Sequence, residues 1–256
     1  MKIDKLCYSS KLRYVNPGEK FAYAVITLLL CIISRSVLTA AVVLPTNAIL
    51  TVVKGGTPWR YYLKLMAMPL GFLLLSTLAV MINISAVPFD GYAIALGGRY
   101  LTASRESLMF GGQLILTALA AVSCLYFLAL NTPMTEILGV FERLHCPLII
   151  IELMLLIYRF IFVLQQAAFD IRTSQRSRLG YKDYRTGIHS FGLLGAALFV
   201  RAVKRSDALY DGMESRCYDG RIRVLKEGAP PHRKEIAAII LYEVLLLGII
   251  VWRYLA

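Results

Sequence analysis

Residues 108–130 read LMFGGQLILTALAAVSCLYFLAL and contain no charged side chain. A helix of about 20 apolar residues crosses the hydrocarbon core of a bilayer, so this stretch predicts a transmembrane helix. The whole chain agrees, because 58% of its 256 residues are hydrophobic, 17% are charged and the mean hydropathy is +0.63. Soluble domains are about 45–50% apolar and about 25% charged. The sequence therefore predicts an all-α polytopic membrane protein and excludes a soluble globule, a coiled coil or a small disulfide scaffold.

Two further apolar stretches predict single crossings. They are residues 64–84 and residues 236–255, each close to the length that spans a bilayer. Residues 85–107 lie between two predicted spans and contain two basic and two acidic residues, so their net charge is zero. We expect these residues to form a polar loop outside the cell, since cytoplasmic loops carry the excess of Lys and Arg.

The first apolar stretch, residues 21–53, is too long for one ordinary span. It is interrupted by Arg35 and Pro45. Two short helices that meet near residues 34–36 fit this pattern, as does one long broken helix. With two crossings here, about five transmembrane helices are expected in the chain.

Residues 147–169 are apolar but include Glu152 and Arg159. Charged residues inside a bilayer are costly and usually face protein. The two lie seven residues apart, which places them on one face of a helix. The pattern fits either a helix packed at an interface or an ordinary span with an internal ion pair.

The distribution of charge predicts the topology. The net charge of +12 includes +3 in positions 1–20 and +6 in positions 167–235, which hold 14 of the 28 basic residues. Both regions are therefore expected in the cytoplasm. An even number of crossings must then separate positions 1–20 from positions 167–235. Either 21–53 crosses twice and 147–169 lies along the membrane, or 21–53 crosses once and 147–169 also crosses. No cleavable signal peptide is expected, because positions 1–20 lack an apolar stretch.

Motifs for enzymatic or metal chemistry are missing from the sequence. It has no Walker A, Gly-x-Ser-x-Gly or His-Glu-x-x-His motif. The five cysteines form no Cys-x-x-Cys pair and the three histidines are scattered, so no metal site is expected. We predict no catalytic residues, and positive-inside topology explains the basic excess without nucleic acid.

Two similar short motifs stand out within residues 167–220. Each ends a helical pattern and offers one arginine. Two matched helix ends suit two equivalent pockets on a partner with two-fold symmetry, such as an ATPase dimer. Arginine suits such docking because its planar fork binds carboxylates and carbonyls bidentately. The alternative is that both are ordinary basic residues of a cytoplasmic loop. The motifs are Ser177, Arg178 and Leu179, and Ser215, Arg216 and Cys217.

Nearly the whole chain resembles a known family, the transmembrane T component of energy-coupling factor (ECF) transporters, in its cobalt-transport CbiQ branch. The resemblance is carried by residues 16–20 (NPGEK), 131–138 (NTPMTEIL), 152–160 (ELMLLIYRF), 175–181 (QRSRLGY), 201–202 (RA) and 213–220 (MESRCYDG). The common form of the family's docking motif is Ala-Arg-Gly. Here both arginines are kept, Ala is replaced by Ser twice, and Gly is replaced by Leu179 and Cys217.

The resemblance implies an L-shaped helical subunit of a prokaryotic cell membrane with a cytoplasmic N-terminus. It implies transmembrane helices in 1–130, cytoplasmic or interfacial coupling helices in 131–235 and a last transmembrane helix in 236–256. The implied partners are two CbiO-like ABC-type ATPases, a CbiM-like substrate-binding membrane subunit and a small CbiN-like membrane subunit. ATP would be bound by the ATPases, so no cofactor is expected in this chain.

The implied function is coupling in a cobalt importer, with the ATPase dimer moving the two docking motifs. A nickel importer of the same type is an alternative, because the metal-selective ligands should lie in another subunit. Two other classes remain open at this point. They are a self-contained secondary cation carrier and a membrane enzyme acting on lipid, although no polar catalytic cluster is visible for the latter.

Overall fold

The computed structural model describes residues 2–81, 83–85, 92–96, 99–103, 105–220, 222 and 230–255. The chain divides into two compact units. The first, which we call the core unit, consists of Met1–Val140 and Glu227–Ala256. The second, which we call the hairpin unit, is Phe141–Lys226.

Long helices dominate the described residues, which confirms the predicted all-α membrane architecture. A short 3-10 helix, Lys11–Tyr14, follows the first helix, and a π-helical turn, Leu50–Lys54, follows the third. The helices are α1 Lys2–Ser9, α2 Pro17–Ser34, α3 Val37–Ile49, α4 Trp59–Met81, α5 Arg105–Asn131, α6 Met134–Arg143, α7 Leu148–Ser177, α8 Tyr184–Glu214 and α9 Arg233–Leu255.

Residues 21–53 form two helices, as one of the two interpretations expected. The side chain of Asn16 accepts a hydrogen bond from the backbone N–H of Gly18 at 2.9 Å, and Pro17 occupies the first turn, so α2 begins with a regular cap. The break lies at Arg35, whose φ of 40° is left-handed. Pro45 does not break the chain but stays inside α3. Pro45 lacks an N–H, so α3 loses one internal hydrogen bond there.

A small antiparallel sheet occupies part of the predicted polar loop 85–107. Its strands are β1 Asn83–Ser85, β2 Tyr92–Leu96 and β3 Arg99–Ala103, in the order β1-β3-β2. Leu101 of β3 pairs with Ile84 on one side and Ile94 on the other. The prediction of a loop without regular structure was therefore incomplete. It rested on the net charge of the segment, whereas its aromatic and β-branched residues favour strands.

Helix α5 lies at the centre of the core unit and packs against α1, α2, α3 and α4. The main buried cluster joins residues of α2, α3, α5 and α9: Cys31, Ala40, Val43, Ala120, Cys124 and Leu246. Small side chains such as Ala40 and Ala120 are fully buried. Small residues allow helices in a membrane to approach closely, which is where their packing energy comes from.

The hairpin unit contains α7 and α8, which pack against each other. Gln175 near the end of α7 contacts Ser190 near the start of α8, and Glu152 near the start of α7 contacts Tyr218 after α8. The two helices therefore run antiparallel. Helix α7 continues to Ser177, beyond the apolar stretch predicted at 147–169. None of its residues is buried.

Seven stretches of the described residues are long and apolar enough to cross a membrane, judged by length and composition alone. Five coincide with the predicted crossings. The other two are α7 and α8, which belong to the region expected to contain coupling helices. Helix α8 was not predicted as a span, because the basic charge of residues 167–235 led us to expect them in the cytoplasm.

Candidate functional site

The first predicted motif lies where α7 ends. Leu179 has a left-handed φ of 57°. Its backbone N–H donates to the carbonyl of Arg176 at 3.1 Å, and the N–H of Gly180 donates to the carbonyl of Gln175 at 2.8 Å. This pair of hydrogen bonds around a left-handed residue is the Schellman motif, which satisfies the last free carbonyls of a helix.

The second predicted motif lies where α8 ends and repeats the same geometry. Cys217 also has a φ of 57°. Its N–H donates to the carbonyl of Glu214 at 2.9 Å, and the N–H of Tyr218 donates to the carbonyl of Met213 at 3.1 Å. The sequence similarity of the two motifs thus corresponds to two helix ends with the same hydrogen-bonding pattern.

Each arginine directly precedes the left-handed residue of its motif. The third position must adopt a positive φ, which Gly accepts without strain and which costs other residues about 1–2 kcal/mol. The resemblance implies Gly at this position, and Gly would adopt this conformation without strain. The chain keeps the conformation with Leu179 and Cys217, so both helix ends carry some backbone strain.

All six motif residues are exposed, and 69% of the Leu179 surface is accessible. Neither Arg178 nor Arg216 has a side-chain hydrogen bond or ion pair to any of the residues that the structure describes. Two guanidinium groups are therefore available at matching positions. An arginine presented in this way can bind carboxylate or carbonyl oxygens of a partner.

The turn after the first motif is closed by a local network. Gln175 donates to the carbonyl of Ser190 at 2.8 Å and accepts from the Tyr181 hydroxyl at 2.8 Å. The Ser190 hydroxyl donates to the Gly180 carbonyl at 2.6 Å. A Cβ at position 180 would lie 2.8 Å from both the Gln175 carbonyl oxygen and the Ser190 Oγ, so only glycine fits. The first motif is thereby tied to both helices.

Glu152 contacts the chain that follows the second motif. One carboxylate oxygen accepts from the Tyr218 hydroxyl at 2.7 Å, and the other accepts from the Ile222 backbone N–H at 2.8 Å. The hydrogen bond to Glu152 raises the pKa of Tyr218 above its usual value. The hydroxyl therefore remains a donor throughout the physiological pH range.

Glu152 and Arg159, both described by the structure, form no ion pair with each other. Seven residues of helix separate them by about 10.5 Å along the axis. Arg159 is exposed and Glu152 is half-buried. The internal ion pair that the sequence left open is thus absent, and the carboxylate is used by Tyr218 and Ile222 instead.

A third polar cluster, in the core unit, was not predicted. Lys20 is only 3% exposed, and its ammonium lies 3.6 Å from the Glu136 carboxylate. The same group donates to the carbonyls of Leu12 and Asn131, each at 3.1 Å. Asn131 also accepts from the Ser10 hydroxyl at 2.8 Å. Lys20 and Glu136 both lie in stretches that carry the family resemblance. Their contact could not be predicted from a local pattern, because they are far apart in the sequence.

No group of three or more His, Cys, Asp and Glu side chains suited to a metal ion occurs within the described ranges. The buried carboxyl group of Glu243 accepts from the Thr27 hydroxyl at 2.7 Å. This contact joins α9 to α2.

Comparison with known proteins gives one consistent family. The model for the family described as cobalt transport protein CbiQ matches residues 8–226. The chain is 32% identical over 205 residues to cobalt transport protein CbiQ of Rhodobacter capsulatus, covering 76% of this chain and 79% of the relative. It is 27% identical over 228 residues to the protein of that name in Salmonella typhimurium, covering 85% and 97% respectively.

A third relative is longer than this chain. It is described as a putative fused cobalt transport protein CbiMQ of Methanocorpusculum labreanum. The match is 32% identical over 155 residues, which is 60% of this chain and 26% of the relative. The match therefore covers only part of that polypeptide.

Proposed function

The chain belongs to the CbiQ family of cobalt transport proteins, and we propose that within this family it is the transmembrane coupling subunit of an ATP-driven ECF-type importer. Family membership makes it a membrane component of cobalt transport. The coupling role is our proposal. It is carried by one observation: two exposed arginines on two helix ends with the same backbone geometry.

The matched helix ends favour a partner with two equivalent pockets. A dimer of ABC-type ATPases, here CbiO-like subunits, has that symmetry. Arg178 and Arg216 would each enter one ATPase groove and bind carboxylate or backbone carbonyl oxygens there. ATP would be bound by the ATPases and not by this chain.

Two membrane partners complete the proposed complex. The fused relative joins the names CbiM and CbiQ in one polypeptide, which supports a CbiM-like subunit beside this chain. The CbiM-like subunit would bind the metal. A small CbiN-like membrane subunit is proposed from the family resemblance alone.

The proposed topology has a cytoplasmic N-terminus in a prokaryotic cell membrane. Four crossings by α2, α3, α4 and α5 return the chain to the cytoplasm, and α9 makes a fifth. The separation of α2 from α3 at Arg35 supports two crossings in residues 21–53, and therefore four crossings by the end of α5. It leaves α7 and α8 on the cytoplasmic side, where the basic residues of 167–235 are favoured.

The proposed mechanism is mechanical. ATP binding closes the ATPase dimer and moves the two docked helix ends relative to each other. The long helices α7 and α8 transmit this movement, because a hydrogen-bonded helix of about 30 residues is stiff over its length of about 45 Å. The movement changes the orientation of the substrate-binding subunit and releases the metal inwards.

The first experiment compares two double variants in the co-expressed complex. Arg178→Ala with Arg216→Ala should abolish co-purification of the ATPase and ATP-dependent cobalt uptake. Arg185→Ala with Arg205→Ala removes the same charge from exposed positions on α8 and should leave both intact. Normal ATPase recovery with the first variant would overturn the proposal.

A native cysteine provides a second experiment. Cys217 is exposed within the second motif, whereas Cys7, Cys31 and Cys124 are buried. In a Cys146→Ser background, a maleimide reagent should therefore label Cys217 selectively. We expect bound ATPase to protect Cys217 from labelling, and unchanged labelling in the complex would contradict docking at this site.

The alternatives give different results in the uptake assay. A nickel importer would take up nickel and not cobalt with the same ATPase requirement. A self-contained secondary carrier would transport metal without ATPase subunits and would survive ATP depletion. The uptake of both metals with and without the ATPase therefore separates the three possibilities.

A further inference from the structure

The two docking motifs are supported in different ways. Tyr181, which follows the first motif, donates to Gln175, only six residues away. Tyr218, which follows the second motif, donates to Glu152, which is 66 residues away near the start of α7. The first motif is thus held within the turn between α7 and α8, and the second through a contact between distant parts of the hairpin unit.

A carboxylate accepts the tyrosine hydrogen bond at the second motif, whereas an amide accepts it at the first. Glu152 accepts two hydrogen bonds, from Tyr218 at 2.7 Å and from the Ile222 N–H at 2.8 Å. Hydrogen bonds to an ionised acceptor are shorter and about twice as strong as neutral ones. No helix directly follows the second motif in the described residues, so α7 provides the support that α8 provides for the first motif.

We propose that Glu152 is a positioning residue for the second docking motif, which it holds against α7 through Tyr218 and Ile222. The second helix end is then fixed to α7, whereas the first is fixed within the turn between α7 and α8. This role rests on the proposed docking function. Glu152 would then be necessary for ATPase binding through Arg216 and unnecessary for ATPase binding through Arg178.

The test uses this asymmetry in the co-expressed complex. Glu152→Ala is combined with Arg178→Ala, so that ATPase binding depends on the second motif, and separately with Arg216→Ala, so that it depends on the first. We expect Glu152→Ala to weaken ATPase binding about tenfold in the first background and less than twofold in the second. Equal losses in both backgrounds, or no loss in either, would overturn the proposal.

Two phenylalanine variants provide matched controls, because each removes one hydroxyl and little else. Tyr218→Phe should reproduce the effect of Glu152→Ala, only in the Arg178→Ala background. Tyr181→Phe should weaken binding in the Arg216→Ala background and not in the other. An identical pattern for the two variants would show a general effect on folding and would contradict the proposal.

A spin label on Cys217 tests the contact without any ATPase. In full-length chain carrying Cys146→Ser, the label should be ordered in the parent and mobile in Glu152→Ala and Tyr218→Phe. Tyr181→Phe should leave its spectrum unchanged. A label that stays ordered in Glu152→Ala would refute the positioning role, as would a mobile label with unchanged ATPase binding.

The two proposals fail separately. If Arg178→Ala and Arg216→Ala leave ATPase binding unchanged, the docking function is wrong, and the role assigned to Glu152 falls with it even if the label becomes mobile. If the arginine variants lose binding and Glu152→Ala does not, the docking function stands and the positioning role is wrong.

Discussion

The core unit and the hairpin unit are held together by different means. In the core unit, buried polar side chains join the helices: Thr27 donates to Glu243, and Tyr23 donates to Asn47. In the hairpin unit, α7 has no buried residue, and Phe191 and Phe199 of α8 are 70% and 71% exposed. The helices of the core unit are therefore joined by buried polar contacts, whereas the helices of the hairpin unit bury few side chains.

This difference predicts that substitutions in the core unit change stability and substitutions in the hairpin unit change binding. In a bilayer, helices gain little from the hydrophobic effect, so packing of small residues and hydrogen bonds between helices must hold the core. An exposed helix pair needs few stabilising contacts of its own if binding to partner proteins stabilises it. Four sets of substitutions test the contrast, from the largest expected effect to the smallest.

Lys20→Met should have the largest effect on stability among the substitutions of polar residues. It leaves the Glu136 carboxylate without its buried cation, which typically costs about 3–5 kcal/mol. The measurement is the midpoint of thermal unfolding in detergent. Lys64→Met at an exposed position of α4 is the control, and Lys20→Met with Glu136→Gln should recover part of the loss. Equal stability of Lys20→Met and Lys64→Met would remove the contrast between the units.

Asn47→Ala should be the next most destabilising change. Asn47 is fully buried, accepts from Tyr23 and donates to Ser123 at 3.0 Å. Its removal leaves two buried hydroxyl groups without this partner, for an expected loss of about 2 kcal/mol. Reversible unfolding in mixed micelles measures it. A loss no greater than that of exposed Lys64→Met would contradict this role of Asn47.

Leu179→Gly and Cys217→Gly should stabilise their helix ends by up to about 1 kcal/mol each, because glycine relieves the strain of the left-handed conformation. Ser206→Gly, in the middle of α8, should destabilise by about 0.5–1 kcal/mol. Thermal unfolding of the three variants gives the comparison. Destabilisation by all three glycines would contradict the assigned cap geometry.

Phe199→Ser should have the smallest effect on the isolated chain, within about 0.5 kcal/mol, because the side chain is exposed. The same substitution at buried Phe127 of the core unit should be severe, since large core deletions cost about 3–5 kcal/mol. Unfolding midpoints of the two variants test the difference. Similar losses would show that α8 has a packed core of its own.

Much of the fold was accessible from composition and periodicity. The predicted apolar stretches coincide with five of the seven described helices that are long and apolar enough to cross a membrane, and the Arg35 interruption marked a real helix boundary. Helix α7 continues past the apolar stretch 147–169 to Ser177, where the first Ser-Arg-X motif had predicted a helix end. The small sheet in 85–107 was missed because short strands leave a weak pattern.

Part of the candidate site could also be predicted. The repeated Ser-Arg-X pattern identified both helix ends before their geometry was known. Glu152 stood out as a charge in an apolar stretch, but its partners lie 66 and 70 residues away, and a helical wheel relates it only to neighbours such as Arg159. The contact of Lys20 with Glu136 was hidden for the same reason.

The sequence by itself determined the membrane class, the helical architecture and the position of the two arginine motifs. These depend on hydropathy and on residues close together in the chain, which a local pattern records. The tertiary structure decided the left-handed caps that make the motifs equivalent, the use of Glu152 by Tyr218 and the buried polar network of the core unit. Those features depend on the packing of helices that are distant in sequence. They also depend on a positive φ at Leu179 and Cys217, which neither residue type indicates.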